Sequence, residues 1–153
     1  MSTTPAIYYR QILPRGLMRS LASLLVLSLT ACATTPMTIN QASVVPASRV
    51  LAHQWLARTS SSGSLIIKRD SGFMGSACTI RVFVDAVPVA DLAAGEMIEL
   101  FVALGEHNVV ASPNGICGGG TPEAVVVIMP ERQRILRIAS GQSGDIFLHP
   151  SAF

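Results

Sequence analysis

Residues 79 to 85 read TIRVFVD, and this stretch decides the fold class. Ile80, Val82 and Val84 alternate with Arg81, Phe83 and Asp85. Successive side chains of an extended chain point to opposite faces, so a period of two marks a half-buried strand. The alternation recurs in residues 96 to 103 (EMIELFVA), where Ile98, Leu100 and Val102 interleave with Glu99 and Phe101. Further strands are expected at Leu65 to Arg69, His107 to Ser112, Ala124 to Met129, Gln133 to Ile138 and Asp145 to His149. Val125-Val-Val-Ile-Met129 is apolar on both faces and predicts a central strand. Leu104-Gly-Glu106 and Pro130-Glu131 are compact links, expected to be hairpin turns. About seven short strands parted by Gly and Pro turns predict a mainly β fold, a single small antiparallel β-sandwich of Ig-like type.

Ahead of these strands the pattern changes. Ala47, Val50, Leu51, Gln54 and Trp55 fall near one helical face, so a short amphipathic helix is expected over residues 47–58, closed by Ser60-Ser-Ser-Gly63. Residues 33 to 46 (ATTPMTINQASVVP) are small, polar and Pro-bounded, the composition of a flexible spacer.

The chain has 153 residues, half of them hydrophobic, enough for one domain with a core of useful size. Its formal charge is +2, but Arg10, Arg15 and Arg19 lie near the start, where there is no acidic residue. From residue 32 onward eight basic residues face nine acidic ones, a net of −1. Without clustered Lys or Arg such a chain would release few phosphate counterions, so no nucleic-acid partner is expected.

Those three arginines precede an apolar run, Leu21 to Leu29, and small residues Thr30 and Ala31. The zones are those of a secretory signal. A membrane-spanning helix needs about 20 apolar residues to cross roughly 30 Å of hydrocarbon, and this run has about half that. Met1 and Met18 are both readable as the start of translation.

Leu29-Thr30-Ala31-Cys32 resembles the bacterial lipobox, which has Leu three residues before an invariant Cys and small residues between. The resemblance implies that Cys32 receives a diacylglyceryl group, that residues 1–31 are cut away, and that the new N-terminus is acylated, for instance with palmitate. Several acyl chains, at about 0.8 kcal/mol per buried CH₂, anchor a protein permanently where one is marginal. Thr34 stands where an Asp would favour the inner membrane. The resemblance therefore implies a lipid-anchored protein of the outer membrane of a Gram-negative bacterium, facing the periplasm. The expected divisions are a signal peptide (1–31), a lipidated N-terminus with spacer and short helix (32–63), and the sandwich (64–153).

With Cys32 assigned to lipid, Cys78 and Cys117 remain. Two cysteines in an exported chain are expected to pair, closing a loop of about 40 residues worth roughly 4 kcal/mol in chain entropy. Free thiols are one rival and a metal site the other. His53, His107 and His149 are scattered singly, so no metal ligand set and no cofactor is expected.

A looser resemblance joins Val84-Asp85-Ala86, Val89-Ala90-Asp91-Leu92, Gly95-Glu96 and Leu104-Gly105-Glu106-His107 to small PEGA-type envelope domains, whose pattern has Gly in place of Ala86 and Pro in place of Leu104. It implies a β-sandwich with a structural or binding role and no known chemistry.

Candidate sites are few. Gly115-Ile-Cys-Gly-Gly-Gly120 lacks the Lys of a phosphate loop and leads through Pro122 into a strand. Glu96 and Glu99 are an odd number of residues apart on a strand and point to opposite faces. Ser140-Gly-Gln-Ser-Gly-Asp145 lacks the G-x-S-x-G spacing of a nucleophile elbow. Arg69-Asp70, brought by Cys78 to the Gly118, Gly119 and Gly120 loop, is expected to form an exposed binding patch. Two function classes follow. The first is a non-enzymatic module, tethered to the membrane at Cys32, that binds an envelope protein or cell-wall partner. The second is an envelope hydrolase or metal-dependent enzyme using His107, Asp70 or Ser143.

Overall fold

The structure is a computed structural model that describes residues 34–152. Nine strands are present among them: β1 (Ser43–Val44), β2 (Ser62–Arg69), β3 (Ile80–Val84), β4 (Val87–Leu92), β5 (Glu96–Ala103), β6 (Gly105–Pro113), β7 (Glu123–Ile128), β8 (Arg134–Ser140) and β9 (Ile146–Pro150). They form a sandwich of two sheets, ordered β1-β5-β2-β8-β9 and β4-β3-β6-β7. The alternating residues Ile80, Val82 and Val84 from one sheet and Ile98, Leu100 and Val102 from the other are buried in a shared core. The pairing is not wholly antiparallel, because β2 runs parallel to β8 and β1 parallel to β5.

Several local expectations change. Val125 to Met129 is not central: β7 is the edge of the four-stranded sheet, and Val125 is 63% exposed while Val126 and Ile128 face inward. The strand buried on both faces is β2, between β5 and β8, despite Lys68 and Arg69 at its end. Leu104-Gly-Glu106 and Pro130-Glu131 are not hairpins within a sheet. The chain crosses from one sheet to the other at both, from β5 to β6 and from β7 to β8. The tight hairpin is Asp85-Ala86, between β3 and β4, where both residues have positive φ (49° and 63°), the backbone of a type I′ turn.

Residues 47–58 contain two short 3-10 turns, Ala47–Arg49 and His53–Trp55, in place of the expected helix. Between them Val50 and Ala52 are buried two residues apart, the period of extended chain, and Leu51 N–H donates to Val89 O at 2.9 Å. The backbone there is taken up by β4 and is not free for helical bonding.

The spacer expected over residues 33–46 is likewise part of the domain wherever it is described. Thr34 Oγ1 donates to Ser140 O (2.9 Å), Thr35 N–H donates to Ser71 O (2.8 Å), Lys68 Nζ donates to Met37 O, and Val45 is in the core. Packing therefore already includes residue 34, the first described, thirty residues before the expected boundary. Small polar residues suggest a spacer, but here the Thr34 hydroxyl and the backbone of Thr35 and Met37 bond to the domain.

Strand directions divide the molecule into two ends. Residues 71–79, 93–95, 114–122 and 141–145 lie at one, with Thr34 and Thr35. The Asp85-Ala86 turn, Leu104, residues 129–133 and Ser151 lie at the other.

Candidate functional site

The expected patch begins with Arg69 and Asp70, the end of β2 and the residue after it. Neither is exposed: they retain 2% and 3% of their surface. The Arg69 guanidinium donates to Gly75 O (2.6 Å), Cys78 O (2.6 Å) and Leu92 O (2.9 Å). Burial pulls its pKa below the ordinary arginine value, partly offset by Glu96. Asp70 accepts a two-pronged bond from Arg137 (2.8 and 2.5 Å), which raises the guanidinium pKa. Lys68 precedes them, also buried, its pKa lowered by desolvation against the raising effect of Asp70. An exposed charged patch is thus absent from this position. The three charges sit beneath the loops, where Lys68 and Arg69 bind backbone carbonyls and Asp70 binds the Arg137 guanidinium. Every buried side-chain N and O atom among the described residues has a partner.

What Arg69 holds is a cluster of loops. Cys78 and Cys117 form a disulfide with Cα atoms 6.4 Å apart, joining residues 71–79 to residues 114–122. Gly119 joins the latter to the β8–β9 turn: its carbonyl accepts from Ile146 N–H (2.8 Å), and a Cβ on it would collide with Gly144 O. With φ at 127°, Gly119 is a position where glycine is required twice over. Gly118 and Gly120 beside it are exposed. The expected residues are brought to one end of the fold, as a stapled loop cluster and not as a ligand cradle. Sequence reasoning missed Arg137, which is 67 residues from Asp70. It also missed Phe73 and Ile116, whose signal was available: Ile116 stands alone, and Phe73 stands with Met74, in a run of small residues.

The residues of the enzymatic alternative do not meet. His107 is on β6 toward the Asp85-Ala86 end, with Nδ1 2.6 Å from Asp85 Oδ2 and Nε2 2.8 Å from Ala103 O. Both ring nitrogens face acceptors, so the imidazole is consumed locally. The bond from His107, with one from Asn108 N–H, holds the Asp85 carboxyl below the usual range. Ser143 is exposed in the β8–β9 turn at the opposite end of the sandwich, and Asp70 is bound by Arg137. His149 stacks on Phe147, with ring centroids 5.8 Å apart. Among the described residues no cluster of three or more His, Cys, Asp or Glu could hold a metal ion.

One further polar network lies on the outer face of β3 and β4. Arg81 donates twice to Asp91 (2.8 Å each) and Asn114 Nδ2 donates to it as well (2.8 Å). The Arg81 bond lowers the Asp91 pKa most, and Asn114 helps. An apolar groove of about 370 Å³ runs along the β5 edge past the end of β1, lined by Val44, Val50, Leu56 and Met97. It gathers no acid and base pair. Cys32 lies outside the described residues. No family model, curated protein or solved structure matches this chain.

Proposed function

We propose that this chain is a lipoprotein of the bacterial envelope, anchored through acyl chains on Cys32 in the outer membrane and facing the periplasm. Its β-sandwich is a non-catalytic module that holds an envelope protein or cell-wall partner. The observation that carries the reading is Leu29-Thr-Ala-Cys32 after a short apolar run. Supporting it, a disulfide joins Cys78 to Cys117, as suits an oxidising compartment. Supporting the non-catalytic half, Arg69, Asp70 and His107 are each engaged with other groups of the fold.

Radiolabelled palmitate should enter the wild-type protein and leave Cys32→Ser unlabelled. Equal labelling of the two refutes the lipid anchor. Crosslinking in intact cells, read by mass spectrometry, should recover an envelope partner, and the binding role falls if none is recovered.

A further inference from the structure

The end at which residue 34 enters the fold has a surface of its own kind. Across its four loops, residues 71–79, 93–95, 114–122 and 140–145, Asp145 is the one charged residue. Apolar side chains point out of these loops: Phe73 is 78% exposed and Ile116 is wholly exposed, more than any other large hydrophobic residue described. Neither is carried on a loose segment. Phe73 O accepts from the N–H and the hydroxyl of Ser76, Arg69 grips Gly75 and Cys78 behind it, and Ile116 adjoins the disulfide. Two apolar side chains are thus displayed from a braced, almost uncharged rim.

Chain connectivity says what faces that rim. Thr34 is bonded to Ser140, the last residue of β8, and Thr35 to Ser71, both at this same end. Two residue steps from Cys32 to Thr34 span at most about 7 Å. A lipid on Cys32 therefore cannot hold this end away from the bilayer. Aromatic and branched side chains beside an anchor enter the boundary between headgroups and acyl chains to about 5–10 Å. The ion pairs behind the loops, Arg81–Asp91 and Arg137–Asp70, are closed on each other, so attraction to anionic headgroups is not the driving force.

We infer that this end of the sandwich docks on the bilayer surface, with Phe73 and Ile116 seated in the lipid boundary beside the anchor. The inference rests on the lipid anchor proposed above.

The test uses the full acylated protein in vesicles of phosphatidylcholine brominated on its acyl chains. Phe73→Trp and Ile116→Trp are compared with wild type, whose one tryptophan is Trp55, and with Leu104→Trp at the opposite end. Flotation reports anchoring. Bromine should remove about half of the added emission at 73 and 116, the depth being about 5–10 Å, and none at 104. Flotation with unquenched emission at 73 and 116 overturns the docking and leaves the anchor standing, with a protein as the remaining occupant. Equal quenching at all three positions overturns the orientation. Absence of flotation, with no acyl mass on Cys32, overturns anchor and docking together. A readout free of new tryptophans is hydrogen exchange of residues 71–79 and 114–122 on vesicles. It should be slower in wild type than in Phe73→Ser/Ile116→Ser, and equal rates also overturn the docking.

Discussion

At the end where residue 34 enters, the fastenings join segments far apart in the chain. Arg69 reaches Leu92, Asp70 reaches Arg137, the disulfide spans 39 residues, and Thr34 meets Ser140 across 106. At the opposite end the side-chain fastenings of the turn reach no further than 23 residues, well short of the 39, 67 and 106 spanned at the first. Asp85 and Ala86 turn the chain in two residues, Asp85 Oδ1 accepts from Asn108 N–H (2.9 Å), and His107 ties Asp85 to Ala103. The charges are distributed accordingly. The second end wears Arg58, Asp85, Glu106, Glu131 and Arg132 on its surface, while the first keeps Arg69 and Asp70 beneath it. Buried charges brace loops without marking them as charged, and so leave the loop surface free to be apolar.

The largest effect on the loop-bearing end is expected from loss of the disulfide. The variant Cys78→Ser/Cys117→Ser should lose about 4 kcal/mol, the chain-entropy value for a loop of this length. For a domain of this size that is a fall of about 15 °C in the thermal midpoint, read by circular dichroism. A loss near zero would mean that Arg69 alone braces the loops.

Next in size is Arg69→Met, which keeps much of the apolar stem and strands three carbonyl acceptors. With buried groups left unpaired at about 1–3 kcal/mol each, partly rehydrated, urea denaturation should register a loss of about 3 kcal/mol. Hydrogen exchange should quicken in residues 71–79 and hold steady at the Asp85-Ala86 turn. Equal quickening at both would show that the two ends are not separately fastened.

The smallest change is expected at the opposite end and in the opposite direction. A non-glycine residue in the left-handed region carries a penalty of about 1–2 kcal/mol, offset by the entropy glycine loses on folding. Ala86→Gly should therefore stabilise the domain by about 0.5–1 kcal/mol in the same urea assay. No gain would mean that the Asp85 side-chain bonds fix the turn regardless of its backbone preference.

Legibility in the sequence divides along similar lines. Strands whose inward residues alternate cleanly, such as β3 and β5, were readable because a period of two survives any tertiary context. β4 was not, since Pro88 and a hairpin without glycine disguise Val87–Leu92 as a connection. β7 was expected to be central and is an edge, while the central strand is β2. Nothing in a run ending in Lys68-Arg69 marks it as central, since its cations are buried against Met37 and Leu92 carbonyls that lie far along the chain. Of the candidate site, the pairing of Cys78 with Cys117 was readable from the cysteine count together with the expectation of export. That Arg69 and Asp70 are buried was not, because Leu92 and Arg137, which engage them, leave no trace in the residues nearby.

The parallel pairing of β2 with β8 bears on the order of assembly. β2 is the middle strand of its sheet, and its second neighbour begins at Arg134, 65 residues after β2 ends. The strands of the other sheet all lie in the interval between them, residues 80 to 128. Until residues 134–140 have arrived, the middle of the five-stranded sheet has one bare hydrogen-bonding edge. A chain shortened before β8 would carry an intact four-stranded sheet beside an open strand, the form most prone to pair with a stranger.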